Sequence, residues 1–507
     1  MIKAQLELFE NMHKFIKQEE KNILKGIAKP PRGALGRILA EFDPEIVIGH
    51  PTFHCEDNIG SLVYRDLEGA RKVFSDNRVA IIIADGTYND KSNDTSNIEA
   101  AIAGAKKALE GFTDQERKNV LVYAGPHEGY DSAHFSPGKG NAFKMIFEEI
   151  ETTQAKAILL LDGDLRNDMT PWQRVYKKVI MHHEQHNPGE DFFVTARYAR
   201  HIVDASLTRN VVGPLTTLMG SYVPGGISGD IMLSAGAVAK ERIANWNDAR
   251  RNYGTDIATT FDNIADPNTR IYEVYLGAKL HDVTDDAKLS IMPGQVIGAA
   301  LERILYYEDL DTRITHRIEN DVPLEKIVVW DSDQTNIDFI NPGTTNVFKI
   351  DAKRNALADK LDNFKDDIKK VLRPSSYEEI ICNHKILTDS INAKTDEIVL
   401  MSISQERWIE LLYEVMGYVM VTKDIESSKK ALNYLYTAAF VEFCSEKLKE
   451  LGYTTLSAVR DIQENLGIGD SKAKAFYSEK VDKVVKSLAL NFYRGRSRII
   501  DRMKELK

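Results

Sequence analysis

Two aspartates separated by one glycine, Asp162-Gly163-Asp164, close the apolar run Ala157-Ile-Leu-Leu-Leu161. Residues two apart in a strand face the same side, so a buried strand ending this way delivers both carboxylates to one edge of a sheet. Such a pair suits a hard divalent cation, Mg²⁺ or Mn²⁺, bridging a diphosphate, because these ions take oxygen ligands and retain waters. Alone, the same triplet is an ordinary turn with solvated acids, and its meaning rests on three stretches before it. Pro51-Thr52-Phe-His-Cys-Glu56 leads from an apolar run into a helical pattern, where N–H groups and the positive end of the helix dipole can receive a diphosphate or a nucleotide ring. Asp85-Gly86-Thr87 follows a second apolar run, placed either to bind a base or ribose or simply to form a turn. Gly138-Lys139-Gly140 opens a helix without the spacing of a Walker A loop. A lysine between glycines brings a point charge close to a diphosphate, and its plainer alternative is a capped helix with a solvated lysine.

In this order the four stretches resemble the GT-A-fold nucleotide-sugar glycosyltransferases. Downstream, Tyr198-Ala-Arg200, Thr208 within SLTRN, Gly213-Pro-Leu, Gly225-Gly-Ile227-Ser228-Gly229-Asp230, Gly254-Thr-Asp256-Ile and Tyr275-Leu-Gly-Ala-Lys-Leu-His281 look like the retaining glucosyl-3-phosphoglycerate, glucosylglycerate and mannosylglycerate synthases, over about residues 46–300. The resemblance implies that Pro51, Thr52, Glu56 and the Asp85 loop hold the nucleoside, with Lys139 near its diphosphate. It implies that Asp162, Gly163 and Asp164 are the DxD element, with Asp164 and His281 binding the metal beside Asp162. Ile227 and Ser228 would floor the transferred sugar, continuing through Gly229 and Asp230 toward the acceptor, and Asp256 would meet a sugar or acceptor hydroxyl. Thr208 would lie near the acceptor's carboxylate or hydroxyl.

One departure bears on the acceptor. Phosphoglycerate-using relatives carry a glycine-arginine pair ahead of the Thr208 match, whereas this chain has Ser206 at the arginine position. A hydroxyl does not replace a planar cation against a dianion, so D-glycerate becomes the more natural acceptor unless Arg209 supplies the clamp for 3-phosphoglycerate. The implied activity is metal-dependent, retaining transfer of glucose from an NDP-sugar to D-glycerate or 3-phosphoglycerate, giving a compatible solute. A mannosylglycerate synthase using GDP-mannose, a sugar nucleotidyltransferase and a non-catalytic sugar-nucleotide-binding protein are the alternatives.

The elements that must position these residues are legible from patterning. EIVIGHP, VAIIIADG, NVLVYAG, AILLLDGD and FFVTARY read as strands apolar on both faces, alternating with helical segments, the mark of a largely parallel sheet in a layered α/β domain. After about Asn346 long helical patterns replace strands. The expected class is therefore α/β, a GT-A (Rossmann-like) domain over 46–340, preceded by a helical segment over 1–45 that Pro30-Pro31 stops, and followed by a helical domain over 341–507 with a turn-rich link at 341–346.

With 66 Lys and Arg against 76 Asp and Glu, the net charge of the 507 residues is −10, which argues against nucleic acid as the main partner. No apolar run reaches the ~18 residues a membrane span needs. Three scattered cysteines encode neither a disulfide framework nor a zinc module and suit a reducing cytoplasm. Leu466-Gly-Ile-Gly469-Asp-Ser-Lys-Ala resembles the hairpin of helix-hairpin-helix modules, but a helix cap accounts for it. The basic C-terminal RGRSRIIDRMKELK reads as a solvated face or an oligomer contact, and a homodimer is expected.

Overall fold

Apolar runs form parallel strands of one sheet: β1 (Ile46–Thr52), β2 (Val79–Asp85), β3 (Val120–Pro126), β4 (Ala157–Leu160), β5 (Asp191–Arg197) and β7 (Thr269–Tyr275). The computed structural model describes residues 34–89, 94–127, 138–151, 153–281, 286–307, 309–331, 350–393, 399–452 and 455–507. The expected helix before Pro30-Pro31, the 341–346 link and residues 136–137 lie outside these. The sheet has the order β3-β2-β1-β4-β6-β5-β7-β8. Two four-residue strands, β6 (Ile231–Ser234) and β8 (Val328–Asp331), do not stand out in the sequence, because four apolar residues carry too little periodicity to distinguish strand from helix. The strand β6 runs antiparallel between β4 and β5. Its start, rather than its end, therefore lies at the edge where the parallel strands finish.

Alternation along each strand builds two cores. Ile46, Ile48, Ile81, Ile83 and Leu159 face one side, and Val47, Ala80, Ile82, Ile158 and Leu160 the other. The first side is covered by α2 (Glu56–Val73), α3 (Ser96–Glu110) and α5 (Met169–His186), and the second by α1 (Ala34–Phe42) and α4 (Lys139–Glu149). A third, larger core joins α6 (Thr255–Ala265) and α7 (Asp286–Tyr306) to α8 (Gln405–Thr422), α9 (Ile425–Leu451), α10 (Asp470–Arg494) and α11 (Ser497–Leu506). The helical region thus shares its core with helices of the α/β region rather than enclosing one of its own. The chain is a Rossmann-like α/β unit with a mostly helical C-terminal region.

Two long helical patterns are interrupted. The pattern at 353–372 breaks at the 3₁₀ turn Leu361–Asn363, and the last one breaks at Gly495, where a β-carbon would come within 2.5 Å of the Tyr413 hydroxyl. At the 466–473 octet, Gly467 adopts φ +62° and returns its N–H to Gln463 O, capping one helix, while Gly469 is the N-cap of α10. No described helix is long and apolar enough to cross a membrane.

Candidate functional site

Strand order reverses between β1 and β4, and ligands of open α/β sheets bind outside the carboxyl ends of strands at such a crevice. The strand β4 stops at Leu160, so Asp162-Gly163-Asp164 lies in a turn beyond it and strand alternation does not govern where the acids point. Gly163 sits against the Pro51–Thr52 backbone, bringing the β1 and β4 ends together.

Asp162 is gripped by two lysines. Lys139 Nζ donates to one carboxylate oxygen at 2.8 Å and Lys279 Nζ to the other at 2.5 Å. Burial alone would raise the Asp162 pKa, but the two ammonium groups outweigh it and hold the carboxyl far below the usual range. Lys139 also donates to Asp256 Oδ2 at 3.1 Å, and Lys279 reaches Asp230 Oδ2 at 2.5 Å and Ser228 O at 3.0 Å. Against the cost of burial, these carboxylates keep both lysines charged, with pKa values above the ordinary lysine range.

Each member arrives by a local device. Lys139 begins α4, and its flanking glycines allow the backbone of 250–252 to close in: a β-carbon on Gly140 would fall 1.9 Å from Arg250 O, and one on Gly138 2.3 Å from Arg251 O. The glycines bring α4 close to the segment that leads into α6, and Asp256 stands in the first turn of α6. Asp230, at the start of the antiparallel strand, accepts the Asp162 N–H at 2.9 Å and the Tyr198 hydroxyl. Gly229, at φ +80°, lies directly under the Lys139–Asp162 pair.

The structure gives the other expected site residues the following internal surroundings. Asp85 is 0% exposed and accepts hydrogen bonds from Asn97, Thr52 and the Thr87 and Tyr88 N–H groups, so its carboxylate shapes the loop rather than facing a ligand. Burial raises its pKa against these donors. In the turn after β1, the His54 and Cys55 N–H groups likewise donate internally, to Thr87 and Asn97, while Pro51 is half-buried, Thr52 buried and Glu56 exposed. Asp230, expected toward the acceptor, is 0% exposed with both oxygens bonded inside the protein. Ser228 Oγ bonds Asp230 O and the Ala196 N–H, and Ile227 packs against the helical core. Thr208 is buried at the head of a short π-helix.

Asp164 and His281 are half-buried at the same sheet edge. Burial, Lys279 and Arg200 push His281 down to about 4, so the ring is neutral at pH 7 with a lone pair for a metal. No group of three His, Cys, Asp or Glu side chains able to hold a metal occurs among the described residues. A two-ligand donor set fits Mg²⁺ or Mn²⁺, which commonly complete their shell with phosphate oxygens and water. Asp256 Oδ1 is buried without a hydrogen-bond partner among the described residues, and burial raises this carboxyl's pKa despite Lys139.

Tyr198 and Lys279 stand in the motifs that carry the resemblance with no role given to either, and the anchoring role of Asp230 has no local signal: Lys279 lies four residues beyond the end of β7, and Asp230 just before a four-residue strand.

The chain matches no protein-family model and no curated protein. Among solved structures it is similar to glucosyl-3-phosphoglycerate synthase from Mycobacterium tuberculosis in complex with phosphoglyceric acid, at 19% identity over 54% of this chain and 85% of that one, with a TM-score of 0.35. The same enzyme with Mn²⁺, UDP and glucosyl-3-phosphoglycerate matches at 18% identity over 54% and 86%, with a TM-score of 0.34. Mannosyl-3-phosphoglycerate synthase from Rubrobacter xylanophilus matches at 17% identity over 56% and 80%, with a TM-score of 0.37.

Proposed function

We propose that this chain is a divalent-cation-dependent, retaining glycosyltransferase that moves glucose from an NDP-sugar to D-glycerate or 3-phosphoglycerate. The observation that supports this best is the pairing of Lys139 and Lys279 on Asp162 at the β1–β4 crevice, beside Asp256. As the bond between the sugar and the diphosphate breaks, negative charge grows on the leaving group. Ammonium groups already held in place stabilise that charge without reorganisation. Asp164 and His281 are the residues proposed to hold the cation, which when bound supplies Lewis-acid stabilisation of the same charge.

Asp256, with one oxygen on Lys139 and the other unpartnered, is suited to accept a hydrogen bond from a sugar or acceptor hydroxyl. Retention then follows front-face attack: the acceptor oxygen bonds the anomeric carbon as the carbon–oxygen bond to the diphosphate breaks, and the acceptor proton passes to the departing diphosphate. Such a path needs no enzymatic nucleophile. Asp162, held by two lysines, serves to fix them.

The ligands in solved structures named for these synthases, Mn²⁺ or Mg²⁺ with UDP and UDP-glucose, set the first probes. The test incubates the protein and Mn²⁺ with UDP-glucose, GDP-glucose or GDP-mannose and a panel of hydroxy acids, following product by proton NMR. Free NDP with an α-linked glycoside is the expected outcome. Release of pyrophosphate would instead make the chain a nucleotidyltransferase, and nucleotide binding without turnover on any acceptor would leave a silent binder.

A further inference from the structure

Ser206 and Arg209, which the sequence weighs for the clamp on the acceptor's anionic group, both have partners within the protein. Ser206 Oγ lies 2.7 Å from the Tyr436 hydroxyl, which comes from α9. Arg209 is buried, and its Nη1 donates to the carbonyls of His201 and Ile202 at 2.9 and 3.0 Å, so its guanidinium braces the chain leaving β5. With Arg209 buried and tied to the backbone, a second cation is better placed to meet an anionic acceptor.

Arg200 stands apart from the other site cations. Its guanidinium lies over the Tyr198 ring, with Cζ 4.7 Å from the centroid, and Lys279 Nζ lies 5.4 Å from the centroid of the same ring. Lys279 is neutralised by Asp162 and Asp230. Arg200 forms no ion pair with a described residue, and its Nε is buried without a hydrogen-bond acceptor. Arg200 lies three residues beyond the end of β5, at the ligand edge of the sheet, and shares the Tyr198 ring with Lys279, which stands two residues before the histidine proposed for the cation. Burying a guanidinium N–H without an acceptor is unfavourable, and unlike Arg197 or Arg250, whose Nε is also unbonded, Arg200 has no carboxylate partner among the described residues to offset it.

We propose that Arg200 binds the anionic group, carboxylate or phosphate, of the acceptor, an inference that rests on the glycosyltransferase reading above. Stacking on Tyr198 orients the planar fork, and an oxyanion of the acceptor supplies the partner that the protein does not. The same ring donates its hydroxyl to Asp230, which also holds Lys279, so acceptor and donor charges are arranged around one rigid group.

The test compares wild type, Arg200→Gln and Arg200→Lys in steady-state transfer from UDP-glucose to 3-phosphoglycerate and to D-glycerate, with UDP binding in Mn²⁺ measured by calorimetry. The expected result is an acceptor KM raised about 10- to 100-fold in Arg200→Gln, partly restored in Arg200→Lys, with donor KM and UDP affinity within about twofold of wild type. A residue that merely supported the fold would move donor and acceptor terms together. The proposal is overturned if acceptor KM stays within about threefold of wild type, or if donor KM rises and UDP affinity falls in step with it, which would assign Arg200 to the diphosphate. A wild type that binds UDP but transfers to neither acid also overturns it while leaving the donor site standing. Failure to bind either UDP or GDP in Mn²⁺ overturns the glycosyltransferase reading itself.

Discussion

Gly229→Ala separates the geometry of the site from the stability of the fold. At φ +80° an alanine pays the left-handed backbone cost of roughly 1–2 kcal/mol, which a protein of this size should survive. The added carbon would also fall 2.6 Å from Asp162 Oδ2, 2.9 Å from Oδ1 and 2.9 Å from Lys139 Nζ, where ordinary contact begins at 3.4 Å. Both groups are ends of flexible side chains, so they yield: the carboxylate moves by about 0.8 Å, and misplacement on this scale can cost about 10²-fold in rate. Gly189→Ala is the matched control, because Gly189 has φ +88° and nothing within 4 Å of its β-carbon position. The two variants should lose similar stability in urea titrations, while only Gly229→Ala loses about two powers of ten in kcat/KM for donor turnover. Equal activity of the two variants at equal stability would refute the claim that the Lys139–Asp162 pair must sit where it does.

Asp164→Ala and His281→Ala should each be severely impaired with folding intact, and chelation should abolish turnover until Mn²⁺ or Mg²⁺ is restored; full activity of both variants in chelator would remove the metal assignment. Arg250→Ala should destabilise the chain by about 3–5 kcal/mol in urea unfolding, because it leaves Glu241 buried without its guanidinium while Asp262 keeps Arg303; a loss under about 1 kcal/mol would show that Glu241 turns to Arg303 or accepts a proton at little cost. Glu273 is raised to about 7 by burial, against the pull of Arg197. The folded state thus keeps a proton that the unfolded state releases above about 4.5, and this group's contribution is present at low pH and lost by up to about 3 kcal/mol as pH rises through 7. Glu273→Gln should accordingly gain stability relative to wild type between pH 5 and pH 8; a difference that does not change with pH would contradict the assignment.

The five strands read from apolar runs and the helix opening at Lys139 were legible locally, because strand burial and glycine caps each depend on a few consecutive residues, whereas Asp162 and Asp164, expected to share one side of a strand, leave it in a turn. The same locality explains the misses. β6 has only four residues, yet its reversed direction is what brings Asp230 to the edge where Asp162 leaves β4. Lys279 and Asp162 stand 117 residues apart, and Ser206 and Tyr436 are 230 apart. Asp85 read equally well as a ligand or a turn former until Asn97 and Thr52 were seen to take its oxygens. Residue type states which bonds a side chain can make; whether a partner within the protein has already claimed them depends on segments far apart in the chain. That is why Arg209 looked like the available cation in sequence while the fold ties it to two carbonyls and leaves the Arg200 Nε without an acceptor among the described residues.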